Sequence, residues 1–106
     1  MTQDAVSLSG VAGRYATALF DLASEKGATE DVAKSLAAFQ AMINESAELA
    51  RLVKSPVFSL DEQQKALKAI FAKAKMSGIA ANFIQLVAAK RRLFVLPDII
   101  EAYRRL

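Results

Sequence analysis

The segment at residues 11–27, VAGRYATALFDLASEKG, constrains the fold of this chain more than any other. Its apolar residues recur at helical spacing and form two adjacent stripes. The first stripe comprises Val11, Tyr15, Ala18 and Leu22, and the second comprises Ala12, Ala16, Leu19, Phe20 and Ala23. A helix that is apolar nearly all round is either enclosed by its own protein or keeps one face for a partner. Because a chain of 106 residues buries a limited share of its surface, we expect this helix to be central, with one flank exposed.

Aliphatic residues at helical spacing continue through the rest of the chain, and this pattern predicts an all-α fold. Turn signals divide the pattern into six helices, and the fifth, at residues 79–91, is about as apolar as the first. The other four helices carry one apolar face each and cannot cover both. These faces comprise Val32, Leu36, Phe39 and Ile43 in the second helix, Leu49, Leu52 and Val53 in the third (about residues 47–54), Leu67, Ile70, Phe71 and Ala74 in the fourth, and Ile99, Ile100 and Tyr103 in the sixth. We therefore predict a six-helix bundle in which helices 1 and 5 are central and adjacent, with a partly open groove between them.

Local signals indicate where several helices begin and end. Gly27 suits a left-handed turn after the first helix, and Thr29 suits the cap of the second. Ser59 and Glu62 have the spacing of a capping box before the fourth helix, and Pro97 suits the first turn of the sixth. We expect residues 1–10 to be a flexible lead-in and residues 11–106 to form one helical domain.

The composition restricts the chemistry that is open to this chain. It contains neither His nor Cys, so the usual general base, the most reactive nucleophile and most zinc-site chemistry are missing. There is no glycine-rich phosphate loop, and no apolar run approaches the roughly 18 residues that cross a bilayer. We predict no catalytic, cofactor-binding or metal-binding residues, no enzymatic activity and no direct membrane insertion.

The charges are unevenly distributed along the chain. Residues 1–53 hold four basic and seven acidic side chains, whereas residues 54–106 hold ten basic and four acidic ones. A basic helical nucleic-acid-binding domain, or a peripheral membrane-binding domain, is therefore the alternative function. The basic residues are spread over several helix faces without a recognition-helix signature, which argues against nucleic acid. Pairs at i,i+4, such as Asp61 with Lys65 and Glu101 with Arg105, favour an ordinary solvated surface.

Three blocks, in this order, resemble one protein family: RYATALFDLASEKG, LVKSPVFSLDEQQKALKAIF and NFIQLVAAKRRLFVLPDIIEAYRRL. The family is the delta subunit of F-type ATP synthase, called OSCP in mitochondria. The resemblance covers roughly residues 11–106 and depends most on Arg92, Leu93, Leu96 and Pro97. It implies the N-terminal helical domain of a non-catalytic stator subunit, with the family's C-terminal domain absent from this chain. Residues 89–91 depart from the glycine-containing turn of many members, so we expect the fifth helix to run longer here.

The resemblance also implies partners and a location. This domain would bind the N-terminal helices of the alpha subunits and link the catalytic head to the peripheral stalk. The stalk b subunits would be contacted through the missing C-terminal domain. The subunit would resist torque during proton-driven ATP synthesis, as a peripheral part of the complex at the cytoplasmic face of the bacterial inner membrane. By itself, the domain is expected to be a monomer.

Our hypothesis for the site is that the groove between helices 1 and 5 receives the partner helix. The partner-binding residues would be Val11, Arg14, Tyr15, Ala18 and Leu22 on one wall, and Asn82, Leu86 and Ala89 on the other. Ala18 leaves room for a guest backbone, and the Tyr15 hydroxyl can stay at the wet edge. The alternative is that Tyr15, Leu22 and Leu86 are simply core, as apolar stripes usually are. We expect Arg92 to be structural, bonding carbonyls at the end of the fifth helix.

Overall fold

The computed structural model describes the backbone of residues 3–106 and the side chains of residues 10–106. Within this range there are six α-helices, a 3₁₀ turn at Leu93–Val95 and no strand, so the predicted all-α class is confirmed. The helices are α1 (Gln3–Glu25), α2 (Thr29–Glu45), α3 (Ala47–Lys54), α4 (Leu60–Ala74), α5 (Gly78–Ala89) and α6 (Leu96–Arg104).

The first helix starts earlier than the apolar stripes indicate. It begins at Gln3, whereas the pattern placed its start at residue 11. Residues 3–10 contain no proline and a single glycine, which costs a helix only about 1 kcal/mol, so the backbone continues in helical form. Met1, Thr2 and the side chains of residues 3–9 lie outside the described residues, and the flexibility of the lead-in stays a prediction.

The helices α1, α4 and α5 each end in a left-handed turn. After α1, Gly27 has φ 64°, as predicted, and the Ala28 N–H donates to the Ala23 carbonyl at 2.8 Å.

The prediction that Thr29 caps α2 is wrong: Thr29 is already the first helical residue, and Ala28 precedes it without a side-chain cap bond. Ala28 both closes α1 and starts α2, so no residue is left over for a separate cap.

The start of α4 follows the prediction closely. Ser59 and Glu62 form a capping box, in which the Ser59 Oγ accepts from the Glu62 N–H at 3.0 Å. In return, the Glu62 Oε1 accepts from the Ser59 N–H at 2.8 Å. Pro97 lies in the first turn of α6, where its missing N–H costs nothing.

The end of α5 differs from the prediction of a longer helix. The helix ends at Ala89, and Arg91 takes a left-handed φ of 58°, with the Arg92 N–H donating to the Val87 carbonyl at 3.0 Å. A non-glycine residue in this region costs about 1–2 kcal/mol. The Arg91 guanidinium donates to the Gln63 Oε1 at 3.1 Å and to the Phe58 carbonyl at 2.8 Å. These bonds hold the strained turn against the start of α4.

The packing of α1 is closest against α6. The buried stripe of α1 consists mainly of alanines, and small side chains let two helix backbones approach each other. In contrast, α1 and α5 meet through large side chains, since the Tyr15 ring stands edge-on to the Phe83 ring with 6.2 Å between centroids. Both apolar helices contribute to the core as predicted, but they are not each other's main packing partners, since α1 packs mainly on α6 and α5 mainly on α4.

The one-faced helices bury most of the residues that their spacing indicated. In α2 and α3 these are Val32, Leu36, Phe39, Ile43, Leu49, Leu52 and Val53, and in α6 they are Ile99, Ile100 and Tyr103. On α4, Leu67 and Phe71 are buried, but Ile70 is half-buried and Ala74 is exposed, contrary to prediction. Both residues line an open cavity beside α3, which explains their exposure.

Tyr103 makes the stability of the fold sensitive to alkaline pH. Its buried hydroxyl donates to the Thr29 carbonyl at 2.8 Å, and burial raises the pKa of Tyr103 above the usual value. The folded state favours the neutral phenol, so this stabilisation is complete below about pH 10 and is lost as the pH rises through the higher folded-state pKa. We expect the Tyr103 contribution to the free energy of unfolding to fall above about pH 10.

Tyr103→Phe should remove that part of the alkaline decline. It should also lower the free energy of unfolding near neutral pH by about 1 kcal/mol, because the Thr29 carbonyl loses its donor. Urea unfolding at a series of pH values measures both effects. Tyr15→Phe is the matched control and should keep the decline, since Tyr103 is intact. Equal alkaline declines in Tyr103→Phe and the wild type would contradict the prediction.

Glycine usually makes a helical segment less stable than alanine does, but the left-handed turn at Arg91 predicts the opposite order at that position. Arg91→Gly and Arg91→Ala lose the same side-chain bonds, but only alanine keeps the backbone strain. We expect Arg91→Gly to be more stable than Arg91→Ala by about 1 kcal/mol. At Lys90, where φ is −81°, the order should reverse, with the glycine variant less stable by about 0.5–1 kcal/mol. Urea unfolding of the four variants tests this, and the same order at both positions would refute it.

Candidate protein interface

The wall predicted on α1 lies beside the buried alanine stripe. Val11 and Tyr15 are half-buried and pack against the core, while Arg14, Ala18 and Leu22 are exposed. Leu22 keeps 43% of its surface exposed. The structure therefore excludes the reading of Leu22 as core, and it places Tyr15 at the boundary between core and solvent.

The wall predicted on α5 is the exposed edge of an otherwise buried helix. Six of the residues of α5 are buried, namely Ala80, Ala81, Phe83, Ile84, Val87 and Ala88. Asn82, Leu86 and Ala89 are exposed, and Leu86 keeps 48% of its surface open, so it is not core either. Gln85 turns towards α4 instead, where its Nε2 donates to the Gln64 carbonyl at 3.2 Å. We call the eight predicted residues on the two helices the α1–α5 surface.

Tyr15 connects the two sides of this surface. Its ring contacts Phe83, the residue that follows Asn82, and so brings the α1 wall against the middle of α5. The Arg92 Nη1 donates to the Tyr15 hydroxyl at 3.1 Å, and the Arg92 Cζ lies 5.9 Å from the ring centroid. A cation over an aromatic ring is attracted by its quadrupole, so this contact adds to the hydrogen bond.

The role predicted for Arg92 was therefore only half right. Arg92 is held by a structural contact, but that contact is with Tyr15 and not with carbonyls at the end of α5. The carbonyl contact belongs to Arg91, and its acceptor is Phe58 in the loop before α4. The two neighbouring arginines thus contact different elements, Arg91 the start of α4 and Arg92 the first helix. Periodicity carries no signal for a contact between residues 15 and 92.

A second open surface lies between α3 and α4, where sequence reasoning predicted none. This cavity has a volume of about 780 Å³ and is lined by apolar side chains such as Met42, Leu52, Phe58 and Ile70. Glu45, Glu48, Arg51 and Lys73 also line it, so charges of both signs border it. The available signal was weak, because the apolar spacing of α4 does not distinguish a half-buried residue from a buried one.

The basic second half of the chain is partly neutralised within its own helices. Lys65 pairs with Asp61 at 3.1 Å, and Glu101 pairs with both Arg104 and Arg105. In the described part of the chain no group of three or more potential ligands is arranged to hold a metal ion. Over the same residues, no helix has the length and hydropathy that crossing a membrane requires.

Comparison with known proteins identifies the family. A family model described as the ATP synthase delta (OSCP) subunit matches residues 11–106. The chain is 59% identical to ATP synthase subunit delta of Methylobacterium sp. (strain 4-46) over 98 residues, which cover 92% of this chain and 52% of that protein. It is 51% identical to ATP synthase subunit delta of Bradyrhizobium diazoefficiens over 106 residues, which cover 100% of this chain and 57% of that protein.

The chain thus spans about half the length of the curated relatives it matches. The matched region includes all six helices except the start of α1, and it includes every residue of the α1–α5 surface. The chain belongs to the ATP synthase delta (OSCP) subunit family.

Proposed function

We propose that this chain is the N-terminal domain of a non-catalytic stator subunit of F-type ATP synthase. In this role, the α1–α5 surface binds the N-terminal helix of an alpha subunit and links the catalytic head to the peripheral stalk. Stalk b subunits are contacted by the family's C-terminal domain and not by these helices. The subunit works as a peripheral component at the cytoplasmic face of the bacterial inner membrane.

The observation that carries this proposal is the exposure of Leu22 and Leu86 on two helices that also contribute a buried stripe to the core. Burying the exposed part of each leucine would contribute roughly 1 kcal/mol. Ala18 lies between Tyr15 and Leu22 on the same face of α1 and presents only a methyl group, so a guest backbone can approach there. An amphipathic helix laid along such a surface is a recurrent mode of recognition.

A stator connection needs affinity and stiffness, and it needs no bond-making chemistry. A rotary motor applies torque between its shaft and its catalytic head, so a static link must prevent the head from turning. Close-packed apolar contacts supply this resistance because protein interiors have low compressibility. The proposed role is therefore compatible with a chain that lacks His and Cys.

The alternative functions receive weaker support from the charges. A nucleic-acid or membrane-binding role needs a concentrated basic face. Here Lys65, Arg104 and Arg105 already have carboxylate partners within their own helices. We therefore favour a protein partner over nucleic acid or lipid.

Ala18→Trp should weaken binding of the partner helix without destabilising the domain. The indole would fill the space that the guest backbone needs, and we expect the dissociation constant to rise at least about tenfold, or about 1.4 kcal/mol. Because Ala18 is exposed, the free energy of unfolding should change by no more than about 0.5 kcal/mol. Calorimetric titration with a peptide of the alpha-subunit N-terminus measures affinity, and circular dichroism measures the helix formed.

Ala37→Trp on α2 is the matched control, since it adds the same side chain at another exposed alanine. It should leave both affinity and stability near their wild-type values. Unchanged peptide affinity in Ala18→Trp would remove Ala18 from the interface. A wild-type chain that does not bind the peptide would overturn the proposed function itself.

A further inference from the structure

We propose that Arg92, held by Tyr15 beside the α1–α5 surface, binds a carboxylate side chain of the incoming helix and thereby sets the direction of that helix. This inference rests on the proposed function, because it names a determinant of specificity at the same surface. The partner it requires is an amphipathic helix with an acidic residue bordering its apolar stripe.

The Arg92 guanidinium is held in position but uses only part of its hydrogen-bonding capacity in the described contacts. Its guanidinium is exposed and held in place by the hydrogen bond to the Tyr15 hydroxyl and by its position near the ring. A guanidinium has five N–H donors, and the described contact with Tyr15 uses one of them. Among residues 10–106, the ion pairs involve Lys65, Arg104 and Arg105, and none of them includes Arg92.

The charged residues of α1 make the two ends of the α1–α5 surface differ in charge. Arg14 precedes Tyr15 in the helix and is exposed, so a second arginine lies at this end of the surface, besides Arg92 on the Tyr15 hydroxyl. Seven residues on, roughly 10 Å along the helix, Asp21 lies beside Leu22, and Glu25 follows one turn later. The surface is thus positive near Tyr15, whereas near Leu22 the two carboxylates of Asp21 and Glu25 outnumber the single cation of Lys26. A guest helix matches it best with its acidic residue near Arg92 and its opposite end near Asp21.

Covering by the guest would strengthen the contact with Arg92. A fully exposed ion pair contributes little in water, but a planar guanidinium can bind a carboxylate through two parallel hydrogen bonds. Because Tyr15 already restricts the guanidinium, less conformational freedom is lost when the pair forms. Apolar burial of Leu22 and Leu86 has no preferred direction, whereas this pair does.

The test is a double-mutant cycle between the chain and the alpha-subunit N-terminal peptide. Each Asp or Glu of the peptide is changed singly to Asn or Gln, and each peptide is titrated into wild-type chain, Arg92→Gln and Arg92→Lys. We expect Arg92→Gln to weaken wild-type peptide binding about tenfold, which corresponds to about 1.4 kcal/mol. One peptide variant should show the same loss with the wild-type chain and little further loss with Arg92→Gln.

Two further readouts distinguish direct binding of the peptide carboxylate by Arg92 from a role in which Arg92 only positions Tyr15. Affinity for the wild-type peptide should fall with added salt more steeply in the wild-type chain than in Arg92→Gln, because one ion pair is missing there. Arg92→Lys should recover part of the affinity and most of the salt dependence. Arg51→Gln on α3 is the control that removes an exposed arginine elsewhere, and it should change neither measurement.

The results that overturn the inference are distinct from failure of the proposed function. Wild-type peptide that binds while every peptide carboxylate is dispensable would refute the role of Arg92, and that result needs no variant of the chain to fold. Equal affinities for wild-type chain and Arg92→Gln would refute it too. A nitroxide at the acidic end of the peptide should broaden the amide signals around Arg14 more than those around Leu22; the reverse would refute the direction. Absence of any binding by the wild-type chain would instead overturn the proposed function.

Discussion

Close packing between α1 and α6 determines which part of α1 remains available. Ala12, Ala16 and Ala23 present only methyl groups on the buried stripe, so α6 can approach the helix backbone closely and close that side. The neighbouring stripe carries larger side chains and points away from this contact. On another side of α1, the Tyr15 ring contacts the Phe83 ring of α5.

The turn after α5 links three parts of the bundle at one point. A left-handed residue at Arg91 follows the end of α5 and turns the chain away from the helix. Arg91 then reaches back to the start of α4, and Arg92 reaches across to Tyr15 on α1. A glycine at position 91 would make the same turn with less strain, but it would lose the contacts with Gln63 and Phe58. At Arg91 the side-chain hydrogen bonds offset the backbone strain that a glycine would avoid.

Much of the architecture could be predicted because it depends on local periodicity. The class, the bounds of α3, the capping box at Ser59 and the buried stripes of α2 and α6 follow from spacing and cap chemistry. The contact of Arg92 with Tyr15 could not be predicted, since it joins residues far apart through a turn of unpredicted form. Most of the predicted site residues belong to apolar stripes, and spacing alone could not distinguish exposed Leu22 from buried Leu19. Exposure depends on which neighbour covers each face, and that is a tertiary property.

The proposed interface combines two kinds of contact with different roles in bearing load. Burial of Leu22 and Leu86 supplies attraction without direction, so by itself it would allow a guest helix to slide or reverse. A guanidinium held by Tyr15 acts only where a carboxylate meets it, and it therefore restricts position along the surface. Tyr15 takes part in both, because its ring packs on Phe83 while its hydroxyl orients Arg92. Loss of that one side chain would weaken the apolar wall and release the charge that gives the wall its direction.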